Sequence, residues 1–411
     1  MSPDVRCRLC GATVTRTFVD LGTMPSANGY LLPDQLALPE PTYPLHALVC
    51  QECLLVQLEA LVSPAELFSE YAYFSSFSDT WVAHGLAFAR AAISELALGP
   101  SSLVVEVASN DGYLLQHFAA AGVPVLGVEP AGNVAEVAVG RGIPTLTAFF
   151  GRTCAKSLVA QGQSADLLIA NNVLAHVPDL DDFVAGLAAV LKPTGTLSIE
   201  VPHLLHLLAD TQFDTIYHEH FSYFSLLTAE RALASHDLVV FDVERLTTHG
   251  GSLRIWAAHR SAARPGTARL DKVRQLEVEA GLDRIDTYDG FGPRVDSCRK
   301  GVRDFLARAR ADGATVAAYG AAAKGNTLLN YCGVTSTDIV MVADRNPEKQ
   351  GHLLPGSHLP VEAPERIFEL RPDYVVILPW NLRVEIATQL KGIRAWGGRF
   401  VVAVPKVDIF G

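Results

Sequence analysis

The run Leu103-Val104-Val105-Glu106-Val107-Ala108 limits the fold more than any other stretch of the chain. It is apolar on both of its faces, and a strand of that kind must be covered from both sides, as in a parallel sheet flanked by helices. Ser109-Asn110-Asp111-Gly112 follows at once, and then an amphipathic run through Tyr113, Leu114, Leu115 and Phe118. Strand, tight turn and helix in that order make the first crevice of a doubly wound α/β sheet. The pattern recurs. Residues 123–128 form a second buried strand ending in Glu129-Pro130, and residues 166–170 form a third that delivers Asn171, Asn172 and His176 to the same edge. Residues 196–201 form a fourth, and two late strands near residues 238–245 and 252–259 flank Thr248-His249-Gly250-Gly251 as an antiparallel pair closing the sheet. Ahead of the first strand, Val82, Leu86, Ala89, Ile93 and Leu96 fall on one face of a helix that begins near Trp81 and stops at Gly99-Pro100.

The loops at the strand ends narrow the cofactor. An acid at the end of the second strand, Glu129, can accept hydrogen bonds from both hydroxyls of a ribose, which indicates an adenosine-containing molecule. The turn from Glu106 to Gly112 lacks the close-packed glycines of a pyrophosphate site, and with Asp111 in it suits a cofactor without phosphates. S-adenosylmethionine fits better than NAD. The residues expected to bind it are Glu106, Ala108, Asn110, Gly112, Glu129, Pro130, Asn171 and Asn172. The late antiparallel pair is the one that class I methyltransferases carry.

The amino-terminal region has a different chemistry. Of seven cysteines, Cys7, Cys10, Cys50 and Cys53 form two CxxC knuckles, while Cys154, Cys298 and Cys332 are scattered. Paired knuckles suit tetrahedral thiolate coordination of zinc, and four sulfurs leave no open position for a substrate, so the metal's expected role is structural. Glu70-Tyr71-Ala72-Tyr73-Phe74-Ser75-Ser76-Phe77-Ser78 is a strip of aromatics and hydroxyls. It serves either as packing between domains or as a flap with Tyr71 or Tyr73 reaching a ligand.

Composition excludes several function classes. The chain has 411 residues, 49% hydrophobic and 19% charged, with a net charge of -11. That length suggests two or three domains, and the negative balance argues against nucleic acid, whose phosphates need clustered Lys and Arg. No apolar run is long enough to cross a bilayer and no signal-peptide pattern opens the chain, so a cytoplasmic protein with no membrane partner is expected.

General acid/base groups concentrate in Tyr217-His218-Glu219-His220, just beyond the fourth strand and on the edge where open sheets bind ligands. On a helix His218 and His220 would face apart; on a strand they would share a face opposite Glu219. After residue 260 the chain becomes a linker and then charged helices, and a second small sheet begins at residues 314–319. Its first turn, Gly320 to Thr327 with Lys324, offers backbone N–H groups and a cation to a diphosphate. Strands at residues 339–343 and 374–378 end on the same edge at Asp344-Arg345-Asn346 and Pro379-Trp380-Asn381.

In one order, the two CxxC knuckles, residues 105–114, Asn171-Asn172-Val173-Leu174-Ala175-His176, Tyr217 to His220, His249-Gly250-Gly251-Ser252 and residues 319–325 carry a resemblance. The chain resembles the nucleotide-sugar C-methyltransferases of deoxysugar biosynthesis, the sugar C-3'-methyltransferases of the tetronitrose and mycarose type. The resemblance implies methyl transfer from S-adenosylmethionine to a ring carbon beside a ketone, usually on a dTDP-linked 4-keto-deoxysugar, in antibiotic biosynthesis. It maps active-site positions onto Tyr71, His176, Tyr217, Glu219 and His220, with His220 the expected base and Tyr217 its competitor for that role. Substrate contacts are expected from Tyr73, His249, Gly250, Ser252, Tyr319, Gly320, Lys324, Asn326, Asp344 and Arg345. The expected fold is α/β in three parts: a zinc-binding domain over residues 1–78, a class I methyltransferase domain over 79–259, and a Rossmann-like nucleotide-sugar-binding domain over 260–411, working as a monomer. Methylation at C-5' is the nearer alternative. An epimerase or oxidoreductase is the more distant one, and it lacks the G-x-G-x-x-G turn and Tyr-x-x-x-Lys pair it needs in the first sheet. A zinc-dependent module that only binds a nucleotide sugar would leave the Tyr-His-Glu-His cluster unexplained.

Overall fold

The computed structural model describes residues 5–68, 74–262 and 264–411. The chain folds as two compact units that are interleaved along the sequence. The first comprises Met1–Val14, Cys50–Leu204 and Phe221–Asp283; the second comprises Thr15–Val49, Leu205–His220 and Arg284–Gly411. Tyr71 and Tyr73 lie outside the described residues.

The first unit is built on a seven-stranded sheet in the order Leu238–Leu246, Ser252–His259, Leu191–Pro202, Ala165–Asn171, Val104–Val107, Val125–Val128, Thr145–Leu146. Val104–Val107 pairs in parallel with Val125–Val128 on one side and Ala165–Asn171 on the other. The strand order therefore reverses at this central strand, and the crevice beyond its carboxyl end is where such sheets take ligands. Ser252–His259 runs antiparallel to both of its neighbours, which is the expected closing pair.

The helix before the sheet spans Asp79–Glu95, and the Ser78 hydroxyl caps it by accepting from the Trp81 N–H at 3.3 Å. Its fully buried stripe is Gly85, Phe88, Ala89 and Ala92, rotated from the expected face; Val82, Leu86, Ile93 and Leu96 flank it only partly buried. The largest fully buried side chain sets the rotation. Phe88 lies 5.8 Å from the Trp256 ring, 6.3 Å from Phe118 and under the Arg254 guanidinium at 4.6 Å. Phe88, Phe118 and Trp256 join Leu114, Leu115, Leu167 and Ile169 in one core. A short antiparallel pair, Val56–Leu58 with Ser222–Tyr223, completes this unit's sheets.

The second unit holds a sheet in the order Val361–Glu362, Val342–Ala343, Val316–Tyr319, Tyr374–Ile377, Arg399–Val402, Asp408–Phe410, parallel except for the last strand. Again the first strand in sequence is central, so Gly320 and the residues after it sit at a second switch point. The strand expected over residues 339–343 is reduced to Val342–Ala343. The hairpin of Arg16–Met24 with Tyr43–Val49 belongs to this unit, where Phe18 stacks on Phe291 at 4.5 Å. Among the described residues no helix is long and apolar enough to cross a membrane.

Candidate active site

The four cysteines of the knuckles come together in the first unit. Their Sγ atoms all lie within 4.8 Å of one another. Thiolates at tetrahedral corners around zinc, with Zn–S of about 2.3 Å, stand roughly 3.8 Å apart, so the donor set and its spacing fit the metal. Backbone turns hold each knuckle: Gly11 N–H donates to the Cys7 carbonyl, and Leu54 N–H to that of Cys50, both at 2.9 Å.

At the switch point of the first unit, the turn after Val104–Val107 is bent by left-handed backbone at Ala108 (φ 56°), Asn110 (φ 50°) and Gly112 (φ 77°). Left-handed non-glycine residues cost energy and cluster where a loop must present its backbone to a ligand. The neighbouring strand shows why Ser109 can stand in this turn. A Cβ on Gly127 would come within 2.4 Å of the Ser109 hydroxyl, so the missing side chain on one strand makes room for the serine on the next.

Glu129 secures the turn from across the crevice. Its two oxygens accept from the N–H groups of Asn110 and Ala131, each at 2.9 Å, and keep lone pairs for hydroxyl donors. Burial raises its pKa, and those two donors pull it back down. Asp111 is ion-paired to Arg141 at 3.0 Å and accepts from the Ser76 N–H, while Asn110 accepts from the Ser75 N–H at 2.8 Å. Glu106 is held well above the usual carboxylate range by burial first, and then by the charges of Glu129 and Asp111.

Several buried polar atoms on this edge have no hydrogen-bond partner among the described residues: Oε2 of Glu106, Oδ1 of Asn171 and both side-chain polar atoms of Asn172. Buried groups of this kind are normally satisfied, so their convergence on the crevice fits a polar cofactor bound there. Asn172 is itself left-handed at φ 54° and donates its N–H to the Glu200 carbonyl at 2.7 Å. His176 ends a short turn and meets Phe68 edge-on at 5.5 Å. His249 and Gly250 are left-handed as well, with the His249 ring 5.0 Å from Trp81, while Ser252 is buried and donates to the Thr248 carbonyl.

In the second unit, Tyr217 to His220 is neither helix nor strand. His220 N–H donates to the Tyr217 carbonyl at 2.8 Å, so the four residues make a β-turn and the side chains of its first and last members meet. The Tyr217 hydroxyl is 2.8 Å from Nε2 of His220, and Nδ1 of His220 is 2.9 Å from the Thr215 carbonyl. A carbonyl only accepts, so Nδ1 carries a proton, and in the neutral ring the lone pair is on Nε2 facing the phenol. The middle residues turn inward. His218 is buried against the Tyr43 carbonyl at 3.3 Å, and burial lowers its pKa. Glu219 is buried too, and its Oε1 accepts from the Asn28 side chain at 2.6 Å.

Just before that turn stands an anion the sequence reading passed over. Asp214 is fully buried and accepts from the Trp380 indole N–H at 2.7 Å. Its pKa is pushed up to about 6 by burial, against the pull of Lys324. Lys324 donates to the Asn381 side chain at 2.8 Å and lies 4.7 Å over the Trp380 ring; burial lowers its pKa and Asp214 raises it. The Gly320 turn is tight: φ is 91°, and a Cβ there would come within 2.4 Å of Pro379 Cδ. Ala321 N–H donates to Asp344 at 2.7 Å, and its carbonyl accepts from Lys349 at 2.7 Å and from the Tyr30 hydroxyl. Asn326 is buried and donates to the Ala27 carbonyl, and burial raises the pKa of Tyr319 to about 12. Near Tyr319 lies the charge of Arg345.

Comparison with known proteins decides among the chemistries this geometry allows. Family models match a zinc binding domain over residues 7–68, a methyltransferase domain over 81–243 and a C-methyltransferase C-terminal domain over 247–405. Over 404 residues the chain is 36% identical to the C-methyltransferase NovU of Streptomyces niveus, covering 98% of this chain and 96% of that one. The chain belongs to the C-methyltransferase family. This C-methyltransferase also matches the ubiquinone biosynthesis O-methyltransferase of Rhodopseudomonas palustris, at 29% identity over 28% of this chain and 49% of that one. Among solved structures, the magnesium protoporphyrin IX methyltransferase of Synechocystis with bound SAM aligns at a TM-score of 0.33 and 16% identity, over 44% of this chain and 82% of that one. The C-methyltransferase depends on S-adenosylmethionine and has a zinc-binding domain, in which Cys7, Cys10, Cys50 and Cys53 form a cluster able to hold the metal. The epimerase or oxidoreductase reading of the sheet is set aside by this membership.

Proposed function

We propose that the C-methyltransferase acts on a dTDP-linked 4-keto-deoxysugar and methylates C-3', the ring carbon beside the ketone, in the cytoplasm as a monomeric enzyme of antibiotic deoxysugar biosynthesis. The observation that carries the reading is the chain Thr215 carbonyl, His220 imidazole, Tyr217 phenol, which presents a lone pair of fixed orientation on His220 Nε2 to an exchangeable proton. S-adenosylmethionine supplies a methyl group on a sulfonium. What the protein must add is a carbanion, and a C–H beside a ketone becomes acidic enough only when the oxyanion is met by aimed donors.

In this reading His220 accepts the proton from C-3', directly or through Tyr217, and the pair holds it while the new C–C bond forms and S-adenosylhomocysteine leaves. A phenol hydrogen-bonded to a neutral imidazole can pass a proton either way, so the two residues act as one group. His176 and Tyr71 are assigned to the enolate oxygen, and Glu219, fixed by Asn28, to a sugar substituent. Glu106, Ala108, Asn110, Gly112, Glu129, Pro130, Asn171 and Asn172 are assigned to the cofactor. The ends of the second sheet, with Tyr319, Gly320, Lys324, Asn326, Asp344 and Arg345, are assigned to the nucleotide sugar, together with Tyr73, His249, Gly250 and Ser252. Residues 1–78, 79–259 and 260–411 are then the zinc, cofactor and nucleotide-sugar regions.

The test is to mix the enzyme with methyl-labelled S-adenosylmethionine and a panel of dTDP-keto sugars, in ordinary and in deuterated water. Label at the carbon alpha to the ketone, with solvent exchange or a primary isotope effect at that carbon, is expected. Transfer to oxygen, or transfer with neither exchange nor isotope effect, removes the enolate route.

A further inference from the structure

We propose that Arg8, between Cys7 and Cys10, is a positioning residue for methyl transfer: from the zinc knuckle its guanidinium clamps Pro178 and Phe221 of the first unit, which follow His176 and His220 in the chain. The assignment rests on the reading of those two histidines given above. The geometry is specific. Nε of Arg8 donates to the Pro178 carbonyl at 3.1 Å, two residues beyond His176. Nη1 donates to the carbonyl of Phe221, the residue that follows His220, at 2.9 Å, and the guanidinium lies 5.5 Å from the Phe221 ring centre.

The Phe221 carbonyl is held on its other side by the Leu58 N–H at 3.0 Å, so both of its lone pairs are occupied. The knuckle is fastened at the same point by buried Gln57, which accepts from the Arg8 N–H and donates to the Arg6 carbonyl, each at 3.0 Å, and which pairs with Ser222 across the short sheet. Arg231 ties the second knuckle down by donating to the Cys53 carbonyl at 2.9 Å. A tetrathiolate metal makes the Cys7 to Cys10 turn rigid, and a rigid base is what a two-pronged clamp needs. The planar fork aims two N–H groups in fixed directions at the two carbonyls, whereas the donors of an ammonium on a flexible stem have no such fixed geometry.

The experiment uses full-length, zinc-loaded Arg8→Ala and Arg8→Lys beside the parent and His220→Asn. Zinc per chain is measured, S-adenosylhomocysteine affinity is taken by calorimetry, kcat and KM with a dTDP-4-keto-6-deoxysugar, and amide exchange at Leu58 and His220. The expected result is one zinc per chain and unchanged S-adenosylhomocysteine affinity. With them, kcat falls about a hundredfold in Arg8→Ala and about tenfold in Arg8→Lys at nearly constant KM, as a misplacement of about 1 Å would cause. Millimolar guanidinium is expected to restore part of the Arg8→Ala rate, and the two amides are expected to exchange faster. A kcat within twofold of the parent overturns the proposal, and so does loss of zinc in either variant, because Arg8 would then serve the metal rather than the site. Turnover retained in His220→Asn would remove the base, while the exchange and zinc measurements would still report on the clamp.

Discussion

The hydroxyl of Tyr217 meets Nε2 of His220 at 2.8 Å across a β-turn whose other ring nitrogen is pinned by the Thr215 carbonyl. In the proposed mechanism, removing the imidazole removes the proton acceptor, whereas removing the hydroxyl leaves it in place. His220→Asn is expected to lower kcat by about a thousandfold and Tyr217→Phe by about ten- to a hundredfold, within the usual range for general-base catalysis. Calorimetry should find S-adenosylhomocysteine bound equally well by both. The reverse ranking would make the phenol the acceptor in its own right.

Asn28 and Glu219 pose a question of charge. Their 2.6 Å hydrogen bond is buried on the Glu219 side. Asn28→Asp sets two carboxylates against each other, and Asn28→Leu removes a donor from a buried acceptor at a cost of about 1–3 kcal/mol. Urea unfolding is expected to show both losses, with the aspartate variant recovering as pH falls and the leucine variant not doing so. Equal pH dependence in the two would mean that Glu219 is not charged there.

Asp214 should leave its mark on stability against pH. Unfolded, it titrates near its ordinary 3.8; folded, burial pushes it to about 6. Between those values the folded chain keeps a proton that the unfolded chain has lost, so stability falls as pH rises through the window, by about 3 kcal/mol at most for this shift. Asp214→Asn keeps an acceptor for Trp380 and should erase that slope, making the variant the more stable of the two above pH 6. Unfolding curves at pH 4, 5, 6 and 7 that run parallel for both proteins would contradict the assignment.

Gly320 combines a left-handed φ of 91° with a Cβ position 2.4 Å from Pro379 Cδ. Gly320→Ala must strain the backbone and displace the proline ring, at about 2–4 kcal/mol together. A midpoint in urea unchanged from the parent's would show that the turn relaxes.

Removing zinc should act on structure before chemistry. With four sulfurs as the donor set, no coordination position is left for a substrate. Chelation or Cys50→Ser is expected to lower the melting temperature and to expose residues 5–14 and 50–58 to proteolysis, while S-adenosylhomocysteine still binds. Loss of S-adenosylhomocysteine affinity in step with zinc would argue for a larger cooperative unit.

The two sheets and the metal site could be read from the chain because each depends on near neighbours. Val104–Val107 is apolar on both faces, and each CxxC turn presents its own pair of sulfurs. What could not be read depends on residues far apart or on a local turn. Tyr217 and His220 meet only because their four residues form a turn, a possibility that weighing helix against strand left out. Ser109 fits into its turn because Gly127, on the next strand, has no side chain. Asn28 and Glu219 are 191 residues apart, and nothing in the small-residue loop around Asn28 marks it as a partner for an acid. Lys324 carried the right charge in the right turn for a diphosphate, yet its ammonium already has Asn381 and the Trp380 face, contacts that turn logic does not foresee.

The interleaving of the two units bears on how the enzyme could be re-engineered. Exchanging only the block after residue 283 for that of a relative would leave behind Thr15–Val49 and Leu205–His220, which fold with it and include both Asn28 and the Tyr217–His220 turn. A chimera meant to accept a different substrate should therefore be spliced at five points, near residues 14, 49, 204, 220 and 283, so that the donor's hairpin and turn travel with its carboxyl-terminal sheet.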